Sequence, residues 1–193
     1  MASPIEQFKQ WMQESIESQI PEPTAMNLAT VNEQGRPTSR IVLLKGIELG
    51  GFVFYTNYES RKGKELARNP YACLNFHWVE MERQVRIEGK VEKVPAEVSD
   101  KYFHSRPRGS RIGAHVSEQS KAIPGREVLE RRYEELVEKY GEEKPVERPS
   151  HWGGYVLKPE AVEFWQGRPS RLHDRILYEL QADGSWSKKR LSP

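Results

Sequence analysis

What most constrains the fold of this chain is a succession of short runs rich in β-branched and aromatic residues, each closed by turn formers. Ala25–Val31 leads through Asn32-Glu-Gln-Gly35 into Thr38–Leu44, and Gly50-Gly51 opens Phe52–Thr56. Tyr71–Trp78 and Gln84–Val94 flank a short turn around Glu80. Near the end come Gly154–Leu157, Ala161–Gln166, Leu172–Leu180 and Trp186–Leu191, the last two joined by the hairpin turn Ala182-Asp-Gly-Ser185. Runs this short and this regularly punctuated predict an antiparallel meander or barrel.

Helices fill the spaces between. Ser3-Pro-Ile-Glu6 reads as a capping box with Pro at the first helical position, so residues 3–20 are expected to form a helix. Its apolar face would be Ile5, Phe8, Trp11 or Met12, and Ile16, and Pro21 and Pro23 would end it. Ser60–Arg68, Ala96–His104, a piece after Pro107, and Glu127–Tyr140 are the other candidates. Gly141–Pro149 is a polar loop. Five Trp, eight Tyr and six Phe among 193 residues give one core its bulk. The expectation is therefore a single α+β domain over residues 1–193, with a β-barrel core, peripheral helices and the 1–20 helix packed on the barrel.

A net charge of +2 gives no global field for nucleic acid or a membrane surface. The cations are clustered locally instead, which suits small anionic ligands. Cys73, the one cysteine, excludes an intrachain disulfide and reads as a small core residue in Tyr71-Ala-Cys-Leu74. No basic start precedes an apolar run, and no stretch nears the ~20 apolar residues of a membrane span. A cytoplasmic location is expected.

Four constellations carry possible chemistry. Arg40-Ile-Val-Leu-Leu-Lys45 is an apolar strand between two cations; taken alone it reads as a buried strand with solvated ends. Alternation puts Arg40 and Lys45 on opposite faces, so they should reach different groups. In Tyr55-Thr-Asn-Tyr-Glu-Ser60-Arg-Lys62, Ser60 is a plausible N-cap, and Arg61 and Lys62 fall in the first helical turn. Cations oppose the helix dipole there unless an anion is bound; the alternative is an ordinary exposed helix start. Tyr102, Arg106 and Ser110 gather two hydroxyls and a guanidinium, good donors to a phosphate. Pro107 breaks their common helix and starts a second one capped by Ser105. His104 reads as a packing or surface residue. Finally, Arg171, His173 and Arg175 would share one strand face, where they would repel one another without an anionic partner.

Absences narrow the chemistry further. The chain has no GxGxxG, Walker, HExxH, CxxC or GxSxG motif, and one Cys with five scattered His makes a metal site unexpected. Anion-binding clusters without a built-in nucleophile point to a cofactor that does the hard chemistry.

These segments, in this order and spacing, resemble the pyridoxamine 5′-phosphate oxidase family over nearly the whole chain, from about Pro23 to Pro193. The resemblance is carried by Arg40–Lys45, Tyr102-Phe-His-Ser-Arg-Pro-Arg108, Gln119-Ser120, Trp152-Gly-Gly154, Trp165-Gln-Gly167, Arg171-Leu-His-Asp-Arg175 and the closing Arg190-Leu-Ser-Pro193. It implies a split β-barrel and a homodimer with FMN at the interface. It assigns FMN to Arg40, Ile41, Val42, Leu43, Leu44, Lys45, Tyr55, Thr56, Arg61, Lys62, Gln84, Gln119, Ser120, Trp165 and Arg175. Lys45, Tyr102, Arg106 and Ser110 would hold the substrate phosphate. Arg171, Leu172 and His173 would lie by the pyridine ring, with Arg171 and His173 as the catalytic pair, orienting substrate and stabilising charge. The implied reaction passes a hydride from C4′ of pyridoxamine or pyridoxine 5′-phosphate to FMN, and then electrons to O2. Two departures stand out. The family's N-terminal Arg-Arg-x-Tyr stretch does not precede the first helix, which leaves lid closure unsupported. Gly109 replaces a common acidic residue and is expected to loosen the loop before Ser110. The rival readings are another split-barrel flavin reductase and a non-catalytic FMN- or pyridoxal-phosphate-binding protein.

Overall fold

The alternation read in the sequence builds one continuous sheet. The computed structural model describes residues 3–193. Among these, nine strands run antiparallel in the order β2 (Pro37–Leu43), β1 (Ala25–Val31), β5 (Tyr71–Trp78), β6 (Arg83–Lys93), β7 (Trp152–Gln166), β4 (Gly51–Asn57), β3 (Gly46–Glu48). β8 (Asp174–Leu180) pairs with β7, and β9 (Trp186–Leu191) with β8. β7 is the junction. One edge takes β6 along its length, while the other takes β4 at Trp152–Leu157 and β8 at Ala161–Gln166. A sheet that forks at one strand must curl, and the result is the expected α+β split barrel.

Two runs read as separate strands, Gly154–Leu157 and Ala161–Gln166, are one strand interrupted by Pro159. Pro159 lies opposite Gly89, where the β6–β7 register shifts. A bulge tolerates the missing N–H of proline, so the strand bends there instead of ending. Gly89 is required at that point because a Cβ would sit 2.0 Å from the Lys158 carbonyl oxygen.

The inner face is a row of side chains crossing five strands: Leu28, Leu74, Ile87, Val162 and Tyr178, each at most 3% exposed. Each such burial is worth about 1.5–3 kcal/mol. Helix α1 (Pro4–Glu17) closes over part of this core with Phe8, whose ring lies 4.9 Å from those of Phe52 and Phe76. Ser3 Oγ accepts from the Ile5 N–H, whereas Glu6 turns to Lys9. The buried face of α1 is Pro4, Phe8, Met12 and Ser15, so Ile16, expected inside, is 48% exposed.

The remaining helices are α2 (Arg61–Arg68), α3 (Ala96–Ser105), α4 (Arg108–Val116) and α5 (Arg126–Tyr140). A second core of Phe103, Ile112, Val116, Val146 and Trp152 joins α3 and α4 to β7. Pro107 does start α4, but Ser105 does not cap it. The Ser105 hydroxyl donates back to the Tyr102 carbonyl. Arg108 Nη2 donates to the carbonyls of Tyr140, Gly141 and Lys144, closing the C-terminal end of α5. Gly109 is not in a loop. It sits in the first turn of α4, where a Cβ would come 2.9 Å from the Tyr133 hydroxyl of α5. No helix among the described residues is long and apolar enough to cross a membrane.

Candidate active site

A cavity of about 500 Å³ opens where the end of β2, the strand β4, the start of α2 and the α3–α4 corner meet. Three cations line it, Lys45, Lys62 and Arg106, and no Asp or Glu does. Ile41, Val42, Leu43, Tyr55, Thr56, Tyr102, Ser110 and Gln119 complete the set that the sequence placed at a site and that the fold brings together here.

The α2 end is built for an anion. Ser60 caps the helix by accepting from the Gly63 N–H at 3.3 Å. Gly63 lets that turn lie on the preceding chain, since a Cβ would fall 2.1 Å from the Tyr58 carbonyl oxygen. No acidic residue occupies the first turn. Lys62, 8% exposed, donates to Thr56 Oγ1 at 3.0 Å and Gln119 Oε1 at 2.9 Å. Burial, helped by the charge of Arg40, presses its pKa down to about 8. A buried ammonium with only neutral acceptors, at a helix N-terminus, leaves positive potential unmatched. Ser120 joins from a positive-φ turn, its Oγ accepting from the Arg61 backbone N–H at 3.2 Å.

Arg40 and Arg61 stand just outside the cavity lining, both bound to Glu65. The Glu65 carboxylate is 6% exposed and accepts from Thr30, Thr38, Arg61 and Arg40 at 2.6, 2.7, 3.0 and 3.3 Å. Burial pushes its pKa up, but these four donors outweigh it and hold the carboxyl at about 2. Arg40 and Lys45 therefore do reach different groups. β2 is an edge strand with Ile41 65% exposed, so the reading of a buried strand fails. Leu44, expected at the cofactor, is 6% exposed and packs in the main core.

At the opposite end, Arg106 lies with its guanidinium carbon 4.6 Å from the centroid of the Trp152 ring, and its Nη1 is buried without a hydrogen-bond partner. Tyr102 stacks on Tyr55 at 3.9 Å. Burial pushes the Tyr55 hydroxyl up to about 12, so it stays protonated. His104 is exposed, 3.7 Å from Glu147. Cys73 is half-buried, with its thiol pushed up to about 11 by burial.

The remaining expected residues form a second patch. Gln84, Trp165 and Arg175 are cross-strand neighbours in one row over β6, β7 and β8. Glu163 fixes Arg175 by accepting from its Nε at 2.8 Å. Arg171 and His173 do not share a strand face with Arg175, because β8 begins only at Asp174. Pro169–Arg171 is a tight helical turn in which Ser170 and Arg171 have φ of 59° and 61°. Proline at its start and the left-handed pair after it end any extended register. Arg171 and Leu172 are exposed, and His173 packs 4.7 Å from Trp165. Within one chain this patch does not line the cavity. Sequence reasoning gave no role to Asn57, Gly113, Ala114, Ser117 or Trp152, which do line it. The small residues at 110, 113, 114 and 117 share one face of α4 and its end, a spacing legible in advance. Trp152 stood out only as part of the Trp152-Gly-Gly154 motif, with no role attached.

Residues 12–140 match the sequence profile described as pyridoxamine 5′-phosphate oxidase. Residues 152–193 match that of the pyridoxine 5′-phosphate oxidase C-terminal dimerisation region. The chain belongs to the pyridoxamine 5′-phosphate oxidase family. The pyridoxine/pyridoxamine 5′-phosphate oxidase of Cupriavidus pinatubonensis is 62% identical over 190 residues, 98% of this chain and 89% of the relative. That of Burkholderia lata is 58% identical over 192 residues, again 98% and 89%. Among solved structures, PhzG from Burkholderia lata, in complex with tetrahydrophenazine-1-carboxylic acid, superposes with a TM-score of 0.93. It is 30% identical, with 100% of this chain and 94% of that chain covered. The family's dimerisation region thus contains the patch of Trp165, Arg171, His173 and Arg175.

Proposed function

We propose that this chain oxidises pyridoxamine 5′-phosphate and pyridoxine 5′-phosphate to pyridoxal 5′-phosphate, using FMN and O2 and releasing H2O2, with ammonia from the amine. The observation that carries this reading is the cavity's charge. It has three cations, no carboxylate, and a buried Arg106 N–H with no partner. A buried guanidinium donor without an acceptor is costly unless a ligand supplies one.

The donor set fits FMN. Its phosphate suits Lys62, the positive N-terminal end of α2, and Ser120, with Arg40 and Arg61 behind them. Ile41–Lys45, Tyr55, Thr56 and Gln119 would border the rest. In a homodimer, Gln84, Trp165 and Arg175 of one chain would face the cavity of the other. FMN, when bound, supplies the acceptor for the two electrons leaving substrate C4′ and passes them to O2.

The chain's own residues bind and orient. Lys45, Tyr102, Arg106 and Ser110 take the substrate phosphate at the end away from Lys62, which keeps two anions in separate pockets. Holding both rings in reacting geometry is worth up to about 7–11 kcal/mol of barrier in ideal cases. His173 Nδ1 accepts from the Arg168 N–H at 3.1 Å, so the neutral ring carries its proton on Nε2 and donates there. With Arg171 it would orient the pyridine ring and stabilise charge as the hydride leaves.

The likeness to PhzG favours a second reading, oxidation of a phenazine precursor. Identity argues against it: the two Burkholderia lata proteins stand at 58% for the pyridoxine/pyridoxamine 5′-phosphate oxidase and 30% for PhzG. Arg106→Ala tests the proposed division of the site. It should raise the KM for pyridoxamine 5′-phosphate while the protein stays yellow. Loss of flavin with substrate affinity intact would overturn the assignment of the two phosphate pockets.

A further inference from the structure

The fold holds its cations in two different ways. Arg40 and Arg61 share the carboxylate of Glu65, and Arg86 and Arg175 share that of Glu163. Arg106 has no ion-pair partner among the described residues. Its guanidinium lies over an indole face instead, 4.6 Å from the Trp152 ring centroid. Burial presses its pKa down, so the positive charge there is desolvated and not neutralised.

That difference has a physical consequence. A carboxylate fixes an arginine and cancels its charge, and it also consumes N–H donors. An aromatic face attracts the cation through the ring quadrupole and takes no N–H in the plane of the guanidinium. Arg106 Nη1 is buried and unpartnered, which is the state such an arrangement leaves.

The indole is itself held still. Trp152, 8% exposed, is the first residue of β7. Its backbone N–H donates to the Pro149 carbonyl at 3.0 Å, and its backbone carbonyl accepts from Arg148 Nη1 at 2.7 Å, which anchors the main chain that carries the ring. Its ring plane lies within 12° of that of Tyr55 and 6° of that of Tyr102, with centroids 5.5 and 6.3 Å away. Phe103 abuts it edge-on at 5.3 Å. The ring cannot turn without breaking this stack.

We propose that Trp152 is a positioning residue for substrate: its indole face fixes Arg106 with full charge and free donors, ready for the substrate phosphate. This rests on the reading of that end of the cavity as the phosphate pocket. It adds the reason a half-buried arginine there has no carboxylate. A Glu or Asp in place of Trp152 would hold the guanidinium and repel the ligand.

Comparing Trp152→Phe with Trp152→Leu tests this, because the two side chains are close in volume and only one has a π face. With flavin content and melting temperature recorded as controls, Trp152→Leu should raise the KM for pyridoxamine 5′-phosphate about 2- to 30-fold at near-unchanged kcat. Trp152→Phe should retain most of the wild-type affinity. Equal KM values in the two variants would overturn the proposal. If neither variant folds, tryptophans with increasing ring fluorination placed at position 152 keep the shape while draining the ring face. KM should then climb stepwise with fluorine number, and a flat series overturns the proposal. Arg106→Ala distinguishes the two levels of inference. If it leaves KM unchanged, the phosphate pocket itself is misassigned. If it raises KM while the Trp152 series is flat, only the role of Trp152 falls.

Discussion

Glu65 offers a worked case of how the cationic end of the site is held. Glu65→Gln keeps the volume and leaves one carbonyl for the Thr30 and Thr38 hydroxyls, but removes the charge that Arg40 and Arg61 share. A carboxyl held at about 2 in place of 4.5 contributes at most on the order of 3 kcal/mol of folded-state stability at neutral pH. Arg61 is 59% exposed, so its share is screened and the true figure lies below that bound. The sign follows from a depressed acid. The contribution is whole well above pH 4.5 and drains away as pH falls towards 2, with about three-fifths gone near pH 3. Urea unfolding of both proteins, at one chain concentration, reads this directly. Near pH 7 the variant should be less stable by up to about 3 kcal/mol, and near pH 3 by about two-fifths of that gap. A gap of the same size at both pH values would refute the reasoning, because the loss would then be one of shape and not of charge.

Other perturbations probe the remaining parts. An anion beside Lys62 raises the amine's depressed pKa, so flavin affinity should hold below about pH 8 and fall up to tenfold per pH unit above it. Fluorescence titration should show that step flattened, and binding weakened throughout, in Lys62→Met. Gly63→Ala forces a Cβ against the Tyr58 carbonyl, so it should cost about 1–3 kcal/mol or more by thermal melting and lose flavin with it. If one site draws on two chains, mixing Arg106→Ala and Arg171→Ala chains, assayed at a substrate concentration too low for either variant alone to turn over, should restore activity to about a quarter of wild type, since half the dimers are mixed and each has one intact site. No recovery after verified exchange would place the whole site within one chain.

The strands were readable because alternation is a local property. β1, with burial switching at every residue from Ala25 to Val31, and β5, from Tyr71 to Trp78, begin and end where composition says. β3, three residues long at Gly46–Glu48, is too short to leave a period, and the continuity of β7 through Pro159 depends on a bulge at Glu160 that only pairing with β6 reveals. The site behaved likewise. Ser60, Arg61 and Lys62 announce a capped helix start in consecutive positions. Nothing local reveals that Arg106 will lie on Trp152, 46 residues later in the chain (152 − 106), or that Glu65 will bind Arg40. Arg171 and His173 were misread as strand residues because a left-handed pair at Ser170 and Arg171 has no strong sequence mark without glycine.

On the proposed function, substrate and flavin meet in this cavity. Anaerobic addition of pyridoxamine 5′-phosphate to the purified yellow protein tests it most directly. Flavin absorbance should bleach as pyridoxal 5′-phosphate forms, and admitting air should restore the colour with H2O2 released. A protein that keeps its colour under excess pyridoxamine 5′-phosphate, or that binds no flavin at all, would contradict the account.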